Sequence, residues 1–326
     1  MKSLEYPWIN NRPHPAKQLK TYCSKIPNPI NNWRKAQRYQ ENDIAFIIYT
    51  GASLFTTRAT AVRDTWVSRV TNYYFLASQP YPDLPVTVVK NTGEDYQSNT
   101  KKIFLGLESI YREQQSMQPS KTHKWYLLVG CDTYVNVPHL LKQLEPYSCM
   151  QPYFIGGSVG EGTCYRKDGT VYNSLFVGGN TAHVFSAALV DALYPHLSVY
   201  VESVWPKPNH SSAGLSDVAL SCLILSLGYN MTLLPGLWRR TPDGIIEQFG
   251  SKEALEVKEP SSWHYIHPMQ MIDLDEFYVY QYVDRLINDR NWNEIIDFIR
   301  LFIGTHYETL RKRQPRHTKK FVRKYK

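Results

Sequence analysis

Residues 125–140, WYLLVGCDTYVNVPHL, place the strongest constraint on the architecture of the chain. The run Trp125 to Val129 is apolar throughout; it has the length of a strand buried on both faces and is too short for a buried helix. Asp132 stands just beyond it, and ligands of open α/β sheets bind where the strands end. Pro138 marks the first turn of a predicted helix. The pattern predicts a central strand that ends near a carboxylate, which is either a ligand contact or a turn residue.

Apolar runs and helical segments alternate along the rest of the chain. A second buried strand is predicted at Ile44–Thr50, and further strands at Tyr73–Ala77 and Pro85–Val89. Helices are predicted over about Thr57–Val67, after Asp95, and from Asp217 to a stop at Gly228. Such alternation is typical of α/β folds.

The composition excludes several classes of protein. The chain has 326 residues, of which 43% are hydrophobic and 13% aromatic, so a globular protein is expected. Part of its net charge of +8 lies in the dense basic tail Arg311–Lys326. A short basic tail is more often solvated surface than a nucleic-acid site, so no nucleic-acid partner is expected. The five cysteines include no Cys-x-x-Cys pair, which argues against structural zinc, and they are too few and scattered for a disulfide scaffold.

Five segments carry motifs in a fixed order along the chain. They are residues 56–69, TTRATAVRDTWVSR; 130–135, GCDTYV; 178–186, GGNTAHVFS; 215–228, LSDVALSCLILSLG; and 261–268, SSWHYIHP. In this order they resemble motifs of the fringe-like glycosyltransferases, a group that includes the core 1 β-1,3-galactosyltransferases and related plant and fungal proteins. The resemblance covers roughly Ile44 to Pro268.

The resemblance implies an α/β GT-A glycosyltransferase fold, a Rossmann-like mixed sheet flanked by helices. We expect an irregular leader over residues 1–42 and a catalytic domain over 43–270. Its nucleotide-binding half covers about 43–145 and its acceptor half about 146–270. A C-terminal helical extension over 271–310 and a basic tail over 311–326 complete the expected organisation.

The resemblance also implies a metal site and a catalytic base. The family holds a divalent metal with the last of three consecutive aspartates, whereas residues 130–132 here read GCD. Asp132 and His264 are therefore expected to hold Mn²⁺ or another divalent cation, with His267 as a weaker substitute for His264. Fewer carboxylates should bind a hard cation more weakly. Asp217 aligns with the family's general base, although a carboxylate in a first helical turn can also be a dipole cap.

A second set of residues is expected to contact the sugar nucleotide. These donor-binding residues are Thr57, Arg58, Lys102, Asp132, Gly178 and Gly179. Arg58 could instead be a solvated arginine, and Lys101 competes with Lys102 for the role. Paired glycines fit either a substrate that lies against the backbone or a β-bulge.

The expected activity is that of an inverting, metal-dependent hexosyltransferase similar to galactosyl- or N-acetylglucosaminyltransferases. It would move a sugar from a UDP-sugar to a hydroxyl of a glycan, glycoprotein or glycolipid acceptor and form a β-linkage, with β-1,3 expected. The alternative is a catalytically decayed module that binds glycan or a protein partner. Gly130 and Cys131 favour decay, whereas the retention of Asp132, Asp217 and His264 favours an enzyme.

No apolar run in the chain has the roughly 18 to 20 residues of a membrane span or the features of a signal peptide. We therefore expect a soluble cytoplasmic protein with reduced cysteines and with the sequons at Asn209 and Asn230 unmodified. Most relatives are anchored Golgi enzymes, so the Golgi lumen is the alternative if an anchor has been removed.

Overall fold

The computed structural model describes residues 36, 38–117, 122–178, 182–244, 247 and 260–296. Its strands are β1 Ile44–Tyr49, β2 Tyr73–Ala77, β3 Val86–Val88, β4 Trp125–Gly130, β5 Tyr134–Val135, β6 Phe154–Gly156, β7 Val159–Tyr165, β8 Val171–Val177, β9 His183–Ser186, β10 Met231–Leu233 and β11 Ser262–Trp263. Its α-helices are α1 Thr60–Asp64, α2 Asn99–Gln115, α3 Val137–Leu144, α4 Ala187–Leu193, α5 Leu197–Ser203, α6 Ser216–Ser226 and α7 Pro268–Asn288.

Seven strands form one mixed sheet in the order β10-β6-β9-β4-β1-β2-β3. Strands β4, β1, β2 and β3 run parallel, and β9 runs antiparallel to both β4 and β6. Alternate residues of β1 pack into two apolar layers, one on each face of the sheet. Burial on both faces explains why the central strands are continuous apolar runs. The prediction of an α/β fold with a Rossmann-like mixed sheet flanked by helices is confirmed.

The helical stretch predicted over about Thr57–Val67 is present, but it is broken at Thr65. A π-helical turn at Phe55–Ala59 leads into α1, and Thr65 then leaves helical geometry with φ −108° and ψ −117°. The break lets the buried Trp66 indole nitrogen donate a hydrogen bond of 3.0 Å to the carbonyl of Thr133, just beyond β4. A tertiary contact at the end of the central strand has overridden the local helical pattern.

Strands β7 and β8 pair as a separate antiparallel hairpin, and a disulfide joins this hairpin to helix α6. The bond links Cys164 in β7 to Cys222 in α6, whose Cα atoms lie 5.5 Å apart. The expectation of reduced cysteines is therefore wrong for this pair. It holds for Cys131 and Cys149, which are free thiols.

Helix α7 packs against the elements that surround the end of β4. The Arg69 guanidinium donates a 2.9 Å hydrogen bond to Asp275 of α7, and the Tyr278 ring stacks on Tyr134 at 5.5 Å. Strand β11 pairs with β5 just before α7 begins. Part of the predicted C-terminal extension is thus helical, while the division into domains stays a prediction. Residues 1–35 and 311–326 lie outside the described residues.

None of the helices in the described ranges is long and apolar enough to cross a membrane.

Candidate active site

A cavity of about 400 Å³ opens at the carboxyl ends of β1 and β4. It brings together four residues predicted from sequence: Arg58, Asp132, Asp217 and His264. These residues come from four separate segments of the chain, so their convergence was not imposed by local sequence. The cavity lies where open α/β sheets bind their ligands.

The carboxylate of Asp132 lies between two cationic or potentially cationic groups. Arg58 Nη1 donates a 3.1 Å hydrogen bond to Asp132 Oδ2, and His264 Nε2 lies 3.2 Å from Oδ1. The side chain of Asp132 is only 13% exposed. Burial acts to raise the pKa of Asp132, but the contact with His264 and the charge of Arg58 outweigh it and hold that pKa below its ordinary value. Asp132 is therefore a carboxylate, ready to accept cations, at neutral pH.

Backbone hydrogen bonds fix the position of His264 beside Asp132. Strand β11 pairs with β5, which begins two residues after Asp132. The amide of Ile266 then donates a 2.9 Å hydrogen bond to the carbonyl of Asp132. His264 thus lies on a segment that is tied on both sides to the end of the central strand.

Asp217 lies in the first turn of α6, on the other part of the cavity wall. Besides the disulfide, Ser221 Oγ of α6 accepts a 3.0 Å hydrogen bond from the amide of Val177 in β8. Two contacts therefore hold this helix against the hairpin. The negative charge of Asp217 contributes to raising the pKa of two cavity tyrosines, Tyr49 and Tyr96, although burial is the larger cause for both.

Asp132 and His264 would offer one carboxylate and one imidazole to a metal ion. This donor set suits Mn²⁺, but in the described part of the chain no group of three or more His, Cys, Asp or Glu side chains could hold a metal. The Nδ1 atom of His264 is buried without a hydrogen-bond partner. The residues fit a site in which protein supplies two ligands and a bound diphosphate supplies others.

Two other predicted donor-binding residues, Thr57 and Gly178, do not line the cavity. Thr57 is exposed, and its hydroxyl points back to the carbonyl of Leu54 at 3.5 Å. Gly178 follows β8, and its amide donates to the carbonyl of Ser158. Gly179 lies outside the described residues.

Lys102 is completely buried beneath the cavity. Its Nζ donates a 2.9 Å hydrogen bond to the carbonyl of Thr50 and lies 3.7 Å from Glu94 Oε2. Glu94 itself lines the cavity and accepts a 2.7 Å hydrogen bond from the amide of Ala52. Lys102 thus supports the loop after β1 from below. The competing Lys101 pairs with Glu202 at 2.8 Å.

Sequence reasoning missed three tyrosines that line the cavity, Tyr49, Tyr96 and Tyr265. Tyr49 is the last residue of β1, so the rule that ligands bind at strand ends could have found it. Tyr265 adopts a φ of +59°, an uncommon conformation for a bulky residue, and no sequence signal predicts it. Tyr96 and Tyr265 are more than half exposed.

Comparisons with known proteins bear on this site. No curated protein matches the chain. Among solved structures, the chain is similar to one titled "crystal structure of a glycosyltransferase involved in the glycosylation of the major capsid of PBCV-1", with 13% identity and a TM-score of 0.38. That match covers 72% of this chain and 98% of the other.

A comparison with protein families matches residues 39–256 to the family described as Fringe-like. The matched range includes Arg58, Asp132 and Asp217 and ends before His264. It spans more than half of the 326 residues. The chain therefore belongs to the Fringe-like family, which supports glycosyl transfer as its general activity.

Proposed function

We propose that the protein is an inverting glycosyltransferase that moves a hexose from a UDP-sugar to an acceptor hydroxyl and forms a β-linkage, expected to be β-1,3. The observation that carries this proposal is the convergence of Asp132 and Asp217 on one cavity from different elements. One carboxylate is paired with Arg58 and His264, and the other lies in the first turn of a helix on the acceptor side. This arrangement supports separate roles in leaving-group binding and in base catalysis.

The donor side would be formed by Arg58, Asp132 and His264. A divalent cation such as Mn²⁺, held by Asp132 and His264, would neutralise negative charge on the departing diphosphate. Arg58 carries a fixed positive charge next to the same position and would bind diphosphate oxygens directly. With the diphosphate bound, its own anionic oxygens would supply the partners that Asp132 supplies to Arg58 in this structure.

The acceptor side would be organised by Asp217 acting as general base. Its carboxylate would take the proton of the acceptor hydroxyl while that oxygen forms a bond to the anomeric carbon. The bond from the anomeric carbon to the diphosphate oxygen would break on the opposite face, and UDP would leave with the electron pair. Attack from the opposite face inverts the anomeric centre, so an α-linked donor gives a β-linked product.

A second candidate function is a decayed module that binds glycan or a protein partner without catalysis. It is favoured by Gly130 and Cys131, which replace acidic residues, and by the small number of metal ligands in the described ranges. Burial raises the pKa of the Cys131 thiol to about 11, so this side chain is a neutral thiol at pH 7 and a poor substitute for a carboxylate.

We further propose that the catalytic domain works in an oxidising compartment, the alternative that the sequence left open. The disulfide between Cys164 and Cys222 supports this location, because such bonds persist in oxidising compartments and are rare in the cytosol. Modification of the sequons at Asn209 and Asn230 then becomes an expected outcome. A shift in mass after glycosidase treatment of the protein secreted from eukaryotic cells would measure it.

The proposed activity is tested by UDP release from a panel of UDP-sugars, with and without Mn²⁺, using small glycans as acceptors. We expect one donor to be turned over only when both metal and acceptor are present. Chelation should stop the release and added Mn²⁺ should restore it. Binding of glycan with no release from any donor would favour the decayed module instead.

A further inference from the structure

Tyr49 occupies a position between the two halves of the proposed site. It ends β1 and lies beside Gly130, its register partner in β4. A Cβ atom placed on Gly130 would lie 3.3 Å from the Tyr49 hydroxyl and 2.7 Å from Asp132 Oδ1. The phenol and the Asp132 carboxylate therefore border the same small volume, which stays open because residue 130 has no side chain.

The hydroxyl of Tyr49 is a neutral hydrogen-bond donor. Burial, and then the negative charges of Asp132 and Asp217, raise the pKa of Tyr49. The phenol therefore stays protonated at any physiological pH. Within the described part of the chain, its hydroxyl makes no hydrogen bond to a protein group, and the residue lines the cavity while partly exposed. Its proton is available to a ligand.

The chemistry of inversion indicates which part of a ligand lies there. In a displacement with inversion, the transferred sugar lies between the leaving diphosphate and the incoming acceptor hydroxyl. Asp132 and Asp217 mark these two positions under the proposed function, on which this inference rests. Tyr49, Asp132 and Asp217 line the same cavity, and the Tyr49 hydroxyl borders the same small volume as Asp132 Oδ1, so the phenol faces the space in which the sugar would lie.

We propose that Tyr49 is a specificity-determining residue whose hydroxyl donates a hydrogen bond to a ring hydroxyl of the transferred sugar. Gly130 makes this contact possible, since a side chain there would fill the space between the phenol and Asp132.

Tyr49→Phe removes the hydroxyl and keeps the ring. With the preferred UDP-sugar, we expect kcat/KM to fall by about tenfold, the effect of one lost hydrogen bond. The affinity for UDP with Mn²⁺, measured by calorimetry, should not change. Tyr147→Phe is the matched control, because Tyr147 lies outside the cavity and packs edge-on against Tyr153; its kinetics should match those of the wild type.

A series of UDP-deoxysugars, each lacking one ring hydroxyl, identifies the hydroxyl that Tyr49 contacts. One UDP-deoxysugar should lose about tenfold in kcat/KM with the wild type and show no further loss with Tyr49→Phe. Equal kcat/KM for the two proteins with every donor would overturn the assignment, and so would a tenfold loss of UDP affinity in the variant. If the wild type turns over no UDP-sugar at all, it is the proposed function that fails.

Discussion

The surroundings of Asp132 and of Asp217 are built in different ways, although both carboxylates line one cavity. Asp132 follows β4, whose six residues are all buried and which pairs with β1 on one side and β9 on the other. Asp217 lies in the first turn of α6, which packs into the apolar core and is also held by a disulfide and a serine hydrogen bond to a separate two-stranded hairpin. The donor side is fixed by the main sheet, and the acceptor side by helix packing together with these side-chain links.

This difference indicates which substitutions should affect donor binding and which should affect transfer. Backbone hydrogen bonds to β1 and β9 hold the strand that leads to Asp132. The acceptor side depends on particular side chains at Cys164, Cys222 and Ser221. Changes there should alter transfer while they leave donor binding intact.

The sharpest test of the comparison is Asp217→Asn. Loss of a general base should lower the turnover of UDP-sugar by about a thousandfold, within the range typical of such catalysis. The affinity for UDP with Mn²⁺ should stay within about twofold, because the donor side is built elsewhere. Steady-state UDP release and calorimetry measure the two quantities. Retained turnover would show that another group accepts the proton.

Removal of the disulfide should have the next largest effect, and this effect is on the free energy of unfolding. A cross-link that closes a loop of 58 residues is expected to contribute about 4 kcal/mol to the free energy of unfolding. Cys164→Ser combined with Cys222→Ser should lower that free energy in urea titrations. The rate of sugar transfer should fall more than the affinity for UDP, because the helix that carries Asp217 is held less firmly. Cys149→Ser, which removes a free thiol, is the control and should change neither.

Asp132→Asn should affect the opposite half of the site. Weakening a charged ligand and its contacts is expected to reduce Mn²⁺-supported UDP affinity about 30-fold, or about 2 kcal/mol. Turnover at saturating donor should fall less than in Asp217→Asn. If instead UDP binds equally well to both variants, Asp132 does not hold the leaving group.

The pH dependence of the same variant provides an independent check. Because the native pKa of Asp132 is lowered, its stabilising contribution is present above its unfolded value of about 3.9 and is lost as the pH falls through the native value. The stability advantage of the wild type over Asp132→Asn should therefore shrink in acid. A constant difference between pH 7 and pH 3, measured by denaturant titration, would contradict the lowered pKa.

The smallest expected effect comes from Gly130→Ala. The added Cβ would lie 2.7 Å from Asp132 Oδ1, so the carboxylate must shift away from its position against His264. We expect the Mn²⁺-supported affinity for UDP to fall about fivefold, or about 1 kcal/mol, the low end of the cost of overpacking. Val159→Ala on the exposed face of the hairpin is the matched control. An effect of equal size in that control would show that the loss of affinity does not come from crowding at residue 130.

The donor side could be predicted from sequence because its signals are local. A strand buried on both faces is a continuous apolar run, and the carboxylate at its end is visible without knowledge of its neighbours. The resemblance to fringe-like motifs then added Arg58 and His264, which the structure places within 3.2 Å of Asp132. The role of each residue stays a prediction.

The acceptor side gave weaker signals. The sequence does not predict the hairpin of β7 and β8, because its strands lack a regular alternation of polar and apolar residues. Gly160 and Gly162 lie inside β7, and the apolar Val171 and Leu175 of β8 are exposed. The pairing of Cys164 with Cys222 depends on that hairpin, so the spacing of the cysteines alone could not reveal it.

The cavity is completed by segments that lie far apart in the sequence, and this has a consequence for synthesis of the chain. The ion pair between Arg69 and Asp275 of α7, for example, joins residues 206 positions apart. A ribosome releases Arg58 and Asp132 long before His264 and helix α7 exist to cover them. At about 5–20 residues per second, that interval lasts on the order of ten seconds. During it, Asp132 can pair with Arg58 but lacks its later contact with His264. Completion of the cavity is thus among the last events of biosynthesis, and a nascent chain arrested near residue 256 would display the donor side unfinished.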